Sequence, residues 1–131
     1  MKSKYTFIAS FHPEKIGYSV EFPQLPGCYT QGDTFDEAVK MATEALSLHL
    51  YGMEKDNDPI PEEDVQTPVE QGGIAVAITA WMQIFREEMR SKAVKKTLTI
   101  PSWMNEAGEE AGINFSQLLQ AAIRERLGIQ Q

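Results

Sequence analysis

The residues with the clearest capacity to recognise another molecule lie in one short run near the end of the chain. Lys95, Thr97 and Thr99 alternate with a face that includes Leu98 and Ile100, and this period-two pattern is typical of a β-strand. Lysine can donate to guanine O6 and N7, and a threonine hydroxyl can donate or accept a hydrogen bond. The polar face of the predicted strand therefore has the chemistry to contact base edges.

Two predicted helices follow this strand. Pro101 ends the strand, because proline donates no hydrogen bond to a ladder. Ser102 is a suitable N-cap for a first helix that ends at Gly112, and Asn114 is a suitable N-cap for a second helix that ends at Gly128. One strand and two helices in about thirty-five residues cannot bury a core of their own. We therefore expect two copies to pair their strands antiparallel and to interlock their helices.

This strand–helix–helix order resembles the ribbon-helix-helix family of DNA-binding dimers, over about residues 95–127. The resemblance implies that the paired strands enter the major groove and that the amide end of the second helix holds a phosphate. Carried over by position, the base-facing residues are Lys95, Thr97 and Thr99, and the phosphate clamp is Asn114, Phe115 and Ser116. Phe115 departs from the family, which often has a basic residue at this position. We therefore expect the Phe115 backbone amide, and not its side chain, to contact the phosphate. The alternative is an ordinary edge strand followed by a helical hairpin.

The charge of the chain is divided unequally between its two halves. Residues 1–70 hold five lysines against thirteen acidic residues, a net charge of −8, whereas residues 71–131 hold seven basic against six acidic residues, a net charge of +1. An acidic half repels nucleic acid and attracts a basic protein, while a basic stretch favours phosphates. The asymmetry predicts two different partners.

Composition and cysteine content restrict the class of protein. The 131 residues are 42% hydrophobic, which is typical of a globular chain, and the one cysteine, Cys28, excludes an intrachain disulfide. The first residues lack the apolar run of a signal peptide, and no run approaches a membrane span. These features predict a cytoplasmic protein with no membrane partner.

The first half of the chain contains alternating patterns and one amphipathic helix. The predicted strands cover residues 4–11, 17–22, 28–32 and 73–78. Thr34 and Glu37 form the capping box of a helix, which we expect to fail at Gly52. An acidic, proline-rich loop follows, then an interior strand and a short helix with an apolar stripe of Trp81, Ile84, Phe85 and Met89. His12 and the proline after it are expected to break the first strand.

The predicted fold class is α+β, with a βββαβ domain followed by the strand–helix–helix module. We divide the chain into a first domain over residues 1–80, a linker or short helix over 81–93, and a dimerisation module over 94–131. No internal repeat is present.

A second resemblance involves a longer motif. Residues 18–38, YSVEFPQLPGCYTQGDTFDEA, are similar to the signature of the HicB antitoxin family, and Glu44, Ala45 and Leu46 fall where that signature continues. The resemblance implies that the first domain has a partial RNase H-like fold and binds a HicA-like toxin, a small basic protein that cleaves RNA. It also implies that the module binds operator DNA and represses the toxin–antitoxin operon, with no cofactor.

The candidate toxin-contacting residues surround the turn after the second strand. They are Glu21, Phe22, Pro23, Leu25 and Pro26. A rigid turn with no partner explains the prolines equally well.

Catalysis and metal binding are not predicted. Cleavage by two metal ions needs several converging carboxylates, but the first strand has no acid, and helix capping explains Asp33, Asp36 and Glu37. Neither His12 nor His49 has a second ligand at metal spacing. Cys28 is expected to be a small buried strand residue rather than a nucleophile.

We therefore expect an antitoxin that neutralises a ribonuclease toxin and represses its own operon as a homodimer or homotetramer. A stand-alone ribbon-helix-helix regulator whose first domain senses a small ligand is the alternative. An enzyme of the hydrolase type is the third and least favoured class.

Overall fold

The computed structural model of the protein describes residues 1–129. It divides into two units, of which the first is Met1–Lys92 and the second begins at Ala93. Each unit is considered by itself below.

The first unit contains one four-stranded sheet and two helices, so the predicted α+β class and βββαβ order are confirmed. Its elements are β1 (Lys4–Pro13), β2 (Tyr18–Glu21), β3 (Tyr29–Gly32), α1 (Phe35–Lys55), β4 (Ile74–Trp81) and α2 (Met82–Ser91). The strand order is β3-β2-β1-β4, and every neighbouring pair is antiparallel.

The core face of strand β1 is the one that its alternation predicts, although Ile8 and Ser10 on the other face are also buried. Phe7, Ala9 and Phe11 are fully buried in the core that α1 covers. The prediction that His12 breaks the strand is wrong, because His12 pairs with Ser19 across the β1–β2 ladder and the strand continues to Pro13. A proline is tolerated there because the β4 ladder ends at Phe11, so at Pro13 the strand has a neighbour on one side only.

Helix α1 begins as predicted, since the Thr34 side chain accepts a hydrogen bond of 3.1 Å from the Glu37 amide. Its buried stripe repeats every four residues and consists of Ala38, Ala42, Leu46 and Leu50. The helix passes through Gly52 and ends at Lys55, so the predicted end at Gly52 is wrong. A glycine inside a helix costs about 1 kcal/mol, and burial of neighbouring side chains such as Tyr51 and Met53 against the core offsets this cost.

Strand β4 lies at an edge of the sheet and pairs only with β1, so the prediction of an interior strand is wrong. Ile78 and Ala80 are buried, whereas Ile74, Ala75 and Ala77 are exposed. A strand with one buried face needs only alternate apolar residues, and the exposed alanines made the run look continuously apolar.

The buried face of helix α2 agrees only in part with the predicted stripe, of which Phe85 and Met89 are half-buried. Met82 is buried and Phe85 lies edge-on to Tyr51 of α1, with ring centroids 5.8 Å apart. Trp81 and Ile84, which we assigned to the buried stripe, are more than half exposed.

The second unit contains α3 (Ser102–Glu110) and α4 (Phe115–Leu127). Pro101 is the N-cap of α3, and Ser102 is the first helical residue rather than the cap that we predicted. The Pro101 backbone is extended rather than helical, with ψ of 144°. Its carbonyl oxygen accepts hydrogen bonds from the amides of Met104 and Asn105. Helix α4 is bounded by Asn114 and Gly128 as predicted.

Residues 92–101 form no ladder within the part of the chain that the structure describes. A strand needs a hydrogen-bonded neighbour, and the predicted neighbour of this segment is the same segment of a second copy. The strand therefore stays a prediction. In residues 1–129, no helix combines the length and the apolar character that crossing a bilayer requires.

A buried ion pair fastens α2 to the end of α1. The Arg86 guanidinium donates from Nε to Glu54 Oε1 at 3.0 Å and from a terminal nitrogen to the second carboxylate oxygen, and it also donates to the Lys2 carbonyl at 2.8 Å. The side chains of Arg86 and Glu54 are only 16% and 8% exposed. The hydrogen bonds to the Glu54 carboxylate raise the pKa of Arg86 above its usual value.

We expect Glu54→Gln to lower the free energy of unfolding of the first unit by about 3 kcal/mol, since it leaves Arg86 buried without its counter-charge. Urea unfolding of residues 1–92, followed by Trp81 fluorescence, measures this loss. Glu87→Gln is the matched control, because the Glu87–Arg90 pair is exposed and is worth less than about 0.5 kcal/mol. Equal stability of the two variants would contradict the buried-pair assignment.

Candidate functional site

The second unit leaves almost all of its apolar side chains uncovered. Gly108 is its one buried residue among those that the structure describes. Its large apolar side chains that are at least 40% exposed are Val94, Leu98, Ile100, Trp103, Met104, Ile113, Phe115, Leu118, Ile123, Leu127 and Ile129. Apolar surface on this scale marks a protein–protein interface. The unit therefore requires a partner surface to acquire a core.

The predicted base-facing residues Lys95, Thr97 and Thr99 all lie exposed in the irregular segment before α3. Leu98 and Ile100, which alternate with them, are 56% and 41% exposed. No ladder fixes which side chains face which way, so the assignment of one face to DNA and the other to a core stays a prediction.

The predicted phosphate clamp lies at the N-terminus of α4. The Asn114 side chain accepts a hydrogen bond of 3.0 Å from the Gln117 amide, which leaves the amides of Phe115 and Ser116 without an intrahelical acceptor. Free amides at a helix N-terminus are suited to bind an anion. This arrangement has the geometry that the clamp needs, and the clamp stays a prediction.

The Phe115 side chain has another role. Its ring lies directly against Gly108 of α3, since a Cβ built on Gly108 would be 2.7 Å from the ring carbon Cζ. The absence of a side chain at Gly108 thus lets the two helices approach at this point. Phe115 can offer its backbone amide to a phosphate while its ring packs between the helices.

The candidate toxin-contacting residues divide into two groups. Glu21, Pro23 and Pro26 are exposed, but Phe22 and Leu25 are 2% and 1% exposed and belong to the core. The prediction that Phe22 and Leu25 contact a partner is therefore wrong.

The tight turn that follows β2 explains why Leu25 is buried. The Leu25 amide donates to the Phe22 carbonyl at 2.9 Å, and the Cys28 amide donates to the Leu25 carbonyl at 3.0 Å. Phe22 continues the two-residue alternation from the buried Val20, and the three-residue spacing of the turn then places Leu25 and Cys28 inward. The prolines between them are left at the surface.

A cluster that the sequence did not reveal lies beside this turn. His12, Glu21 and Glu70 each place a potential ligand atom within 4.8 Å of the others. The fold thus brings two carboxylates to His12 that its sequence spacing did not indicate. The three residues line a polar cavity of about 590 Å³, together with Glu14, Ser19 and Gln31 among others.

The β1–β2 pairing relates two of the three residues of this cluster. Ser10 lies opposite Glu21, and His12 is two residues further along the same face. Glu70 comes from the long loop between α1 and β4, and no local pattern relates it to His12. Part of the cluster was therefore predictable, and the loop residue was not.

Cys28 is an inert core residue. It is 4% exposed, precedes β3, and places its Sγ 3.7 Å from the Ala45 carbonyl oxygen. Desolvation raises the pKa of the Cys28 thiol to about 11. A protonated, enclosed thiol is a poor nucleophile, so the structure supports the expectation of a packing role.

The family model for HicB-like antitoxins of bacterial toxin–antitoxin systems matches residues 7–121. The chain belongs to this family. It is a family of antitoxins and not of enzymes. The match begins in β1 and ends within α4, so it includes residues of both units.

Curated relatives include one uncharacterised protein and one named antitoxin. The antitoxin is 33% identical over 92 residues to an uncharacterised 14.9 kDa protein from the rep–hol intergenic region of Haemophilus phage HP1, covering 68% of this chain and 69% of the phage protein. It is 46% identical over 48 residues to antitoxin HicB 1 of Photorhabdus laumondii, covering 37% of this chain but only 31% of that antitoxin.

Solved structures agree with the fold. A chain from a toxin–antitoxin complex of Streptococcus pneumoniae superposes with a TM-score of 0.58 at 24% identity, covering 94% of this chain and 99% of that one. Antitoxin HicB of Burkholderia pseudomallei superposes with a TM-score of 0.52 at 20% identity, covering 94% of this chain and 98% of that one. At these identities the matches show the fold alone.

The state of Cys28 yields a direct test. We expect the native antitoxin at pH 8 to react with a thiol reagent such as DTNB at least about a hundredfold more slowly than the unfolded chain, because a pKa raised by two units lowers the thiolate fraction by that factor. Reaction at the rate of the unfolded chain would contradict the burial of Cys28.

The same shift predicts a pH dependence. The folded state holds the Cys28 thiol proton more tightly than the unfolded state does. The protonated thiol therefore contributes to the free energy of unfolding below about pH 9, and this contribution is lost as pH rises towards 11. Urea unfolding between pH 8 and pH 11 measures this loss. Cys28→Ala is the control, because its free energy of unfolding should fall less than that of the native protein over this pH range.

Proposed function

We propose that this antitoxin neutralises a HicA-like, RNA-cleaving toxin through its first unit and represses its own operon through its second unit, which binds operator DNA as a dimer. The observation that carries the proposal is the contrast in burial between the units. The first has a closed core of fourteen buried apolar residues, whereas the second buries only Gly108 among its described residues.

The unclosed second unit favours assembly with a copy of itself. Pairing residues 94–100 of two chains would satisfy the backbone groups that have no ladder partner. It would also bring the exposed Leu98 and Ile100 of the two chains together under helices α3 and α4. The two-residue period then places Lys95, Thr97 and Thr99 on the outer face of the ribbon.

DNA binding follows from what that outer face presents. A two-stranded ribbon fits the major groove, where lysine and threonine can hydrogen-bond to base edges. The free amides of Phe115 and Ser116 supply a phosphate contact at each α4, so the same dimer would be positioned on the backbone and would read the bases.

Toxin binding is assigned to the first unit because this unit is closed and acidic. The proline-rich turn exposes Glu21, Pro23 and Pro26 next to a cavity that Glu14 and Glu70 also line. A basic partner would be attracted by this surface. Membership of the family of HicB-like antitoxins of bacterial toxin–antitoxin systems supports the class of partner.

The toxin assignment is tested with residues 1–92 alone, which contain the complete core. We expect this fragment to block RNA cleavage by the toxin encoded beside it, with an association rate that falls as salt rises.

Glu21→Lys should slow association about tenfold or more by placing a like charge against the toxin. Glu106→Lys in the full chain is the control, because it makes the same charge change in the second unit. A folded fragment that fails to inhibit would move the neutralising surface out of the first unit.

The DNA assignment is tested by two neighbouring substitutions. Thr97→Ala should weaken specific operator binding by about 1–3 kcal/mol and leave the dimer intact, because it removes a base contact. Leu98→Ala should lower dimer stability by about 2–5 kcal/mol, because it removes a core side chain. Gel shifts on operator and random DNA, with sedimentation to count chains, measure both effects.

Lys95→Ala separates base contacts from phosphate contacts in the same assay. Loss of a phosphate contact weakens binding to all sequences alike and flattens the salt dependence.

If Thr97→Ala dissociates the dimer while Leu98→Ala loses only specificity, the strand faces the opposite way.

A further inference from the structure

The His12, Glu21 and Glu70 cluster lies on the face of the sheet opposite α1. Phe11 faces the core beneath α1, so its neighbour His12 projects to the other side of the sheet. Ser10 and Glu21 are cross-strand partners on that same side. The buried Ser10 hydroxyl lies 3.0 Å from His12 Nε2 and fixes the orientation of the imidazole ring.

The loop before β4 closes tightly onto this histidine. The Gly73 amide donates to the Glu70 carbonyl at 2.9 Å. A Cβ at Gly73 would lie 2.6 Å from Ser10 Oγ and 3.0 Å from His12 Cε1, so only a residue without a side chain allows this approach. The closure places a Glu70 carboxylate oxygen 4.0 Å from His12 Nε2.

We propose that His12, Glu21 and Glu70 form a binding site for a divalent transition-metal ion of the zinc class. One imidazole nitrogen and two carboxylates are a ligand set for zinc and its neighbours, while magnesium and calcium prefer oxygen ligands alone. Three protein ligands leave a fourth position for water. Glu14 lines the same cavity and adds a third negative charge that attracts a cation.

The distances require only side-chain movement. Ligand atoms around a tetrahedral zinc ion lie about 3.3 Å apart, and those of the cluster lie within 4.8 Å of one another. Glu21 is exposed and the Glu70 side chain is 76% exposed, so both carboxylates are free to rotate inward. The ion would take the place of the Ser10 hydroxyl at His12 Nε2.

Calorimetric titration of the tag-free, full-length antitoxin with ZnCl₂ tests the site without toxin or DNA. We expect one zinc ion per chain, and we expect His12→Asn and Glu70→Gln each to weaken binding at least about tenfold. Cobalt(II) should give visible absorption bands of a tetrahedral nitrogen–oxygen site that both variants lose. Melting curves check that the variants fold; Glu70→Gln changes an exposed side chain and should leave them unchanged.

His49→Asn and Glu44→Gln are matched controls, because His49 is the other histidine of the chain and Glu44 is an exposed carboxylate on α1. Retained affinity in both controls, with loss in the two cluster variants, is the expected result. The proposal is overturned by the absence of saturable binding, by full affinity in His12→Asn or Glu70→Gln, or by an equal loss in His49→Asn.

Discussion

The first unit depends on the packing of a single helix against one face of its sheet. Ala38 and Ala42 are small enough to bring α1 close to the strands, and Leu46 and Leu50 fill the space beyond them. This one-sided cover explains why β4 buries only alternate residues. It also explains why a polar group such as His12 can sit on the opposite face, where a second layer of helices would have required an apolar side chain.

Much of this unit was predictable because its signals are local. Alternation predicted β1, and the capping box at Thr34 predicted the start of α1. The errors arose where a distant contact outweighed a local preference, as at Gly52, where packing carries the helix onward. They also arose where turn hydrogen bonds replaced the period of the strand, which placed Leu25 in the core.

The candidate sites show the same division between local and distant signals. The free amides at the start of α4 were predictable because Asn114 both caps the helix and leaves neighbouring amides without a partner in the helix. The cluster around His12 was predictable only as far as Glu21, since Glu70 reaches it from a loop more than fifty residues after His12 in sequence. Loop closure over such a separation depends on a tight fit at Gly73, and a sequence pattern does not encode the residues that this fit brings together.

The two units differ in what makes them stable, and this difference has a consequence for the proposed functions. A closed core folds at any protein concentration, so the first unit should remain competent to bind a toxin when the antitoxin is scarce. A unit that closes only by pairing with a second copy is stabilised by mass action. DNA binding through such a pair would weaken on dilution before toxin binding does, because it requires two chains. Repression would then respond to the amount of antitoxin more steeply than neutralisation, with no conformational signal passing between the units.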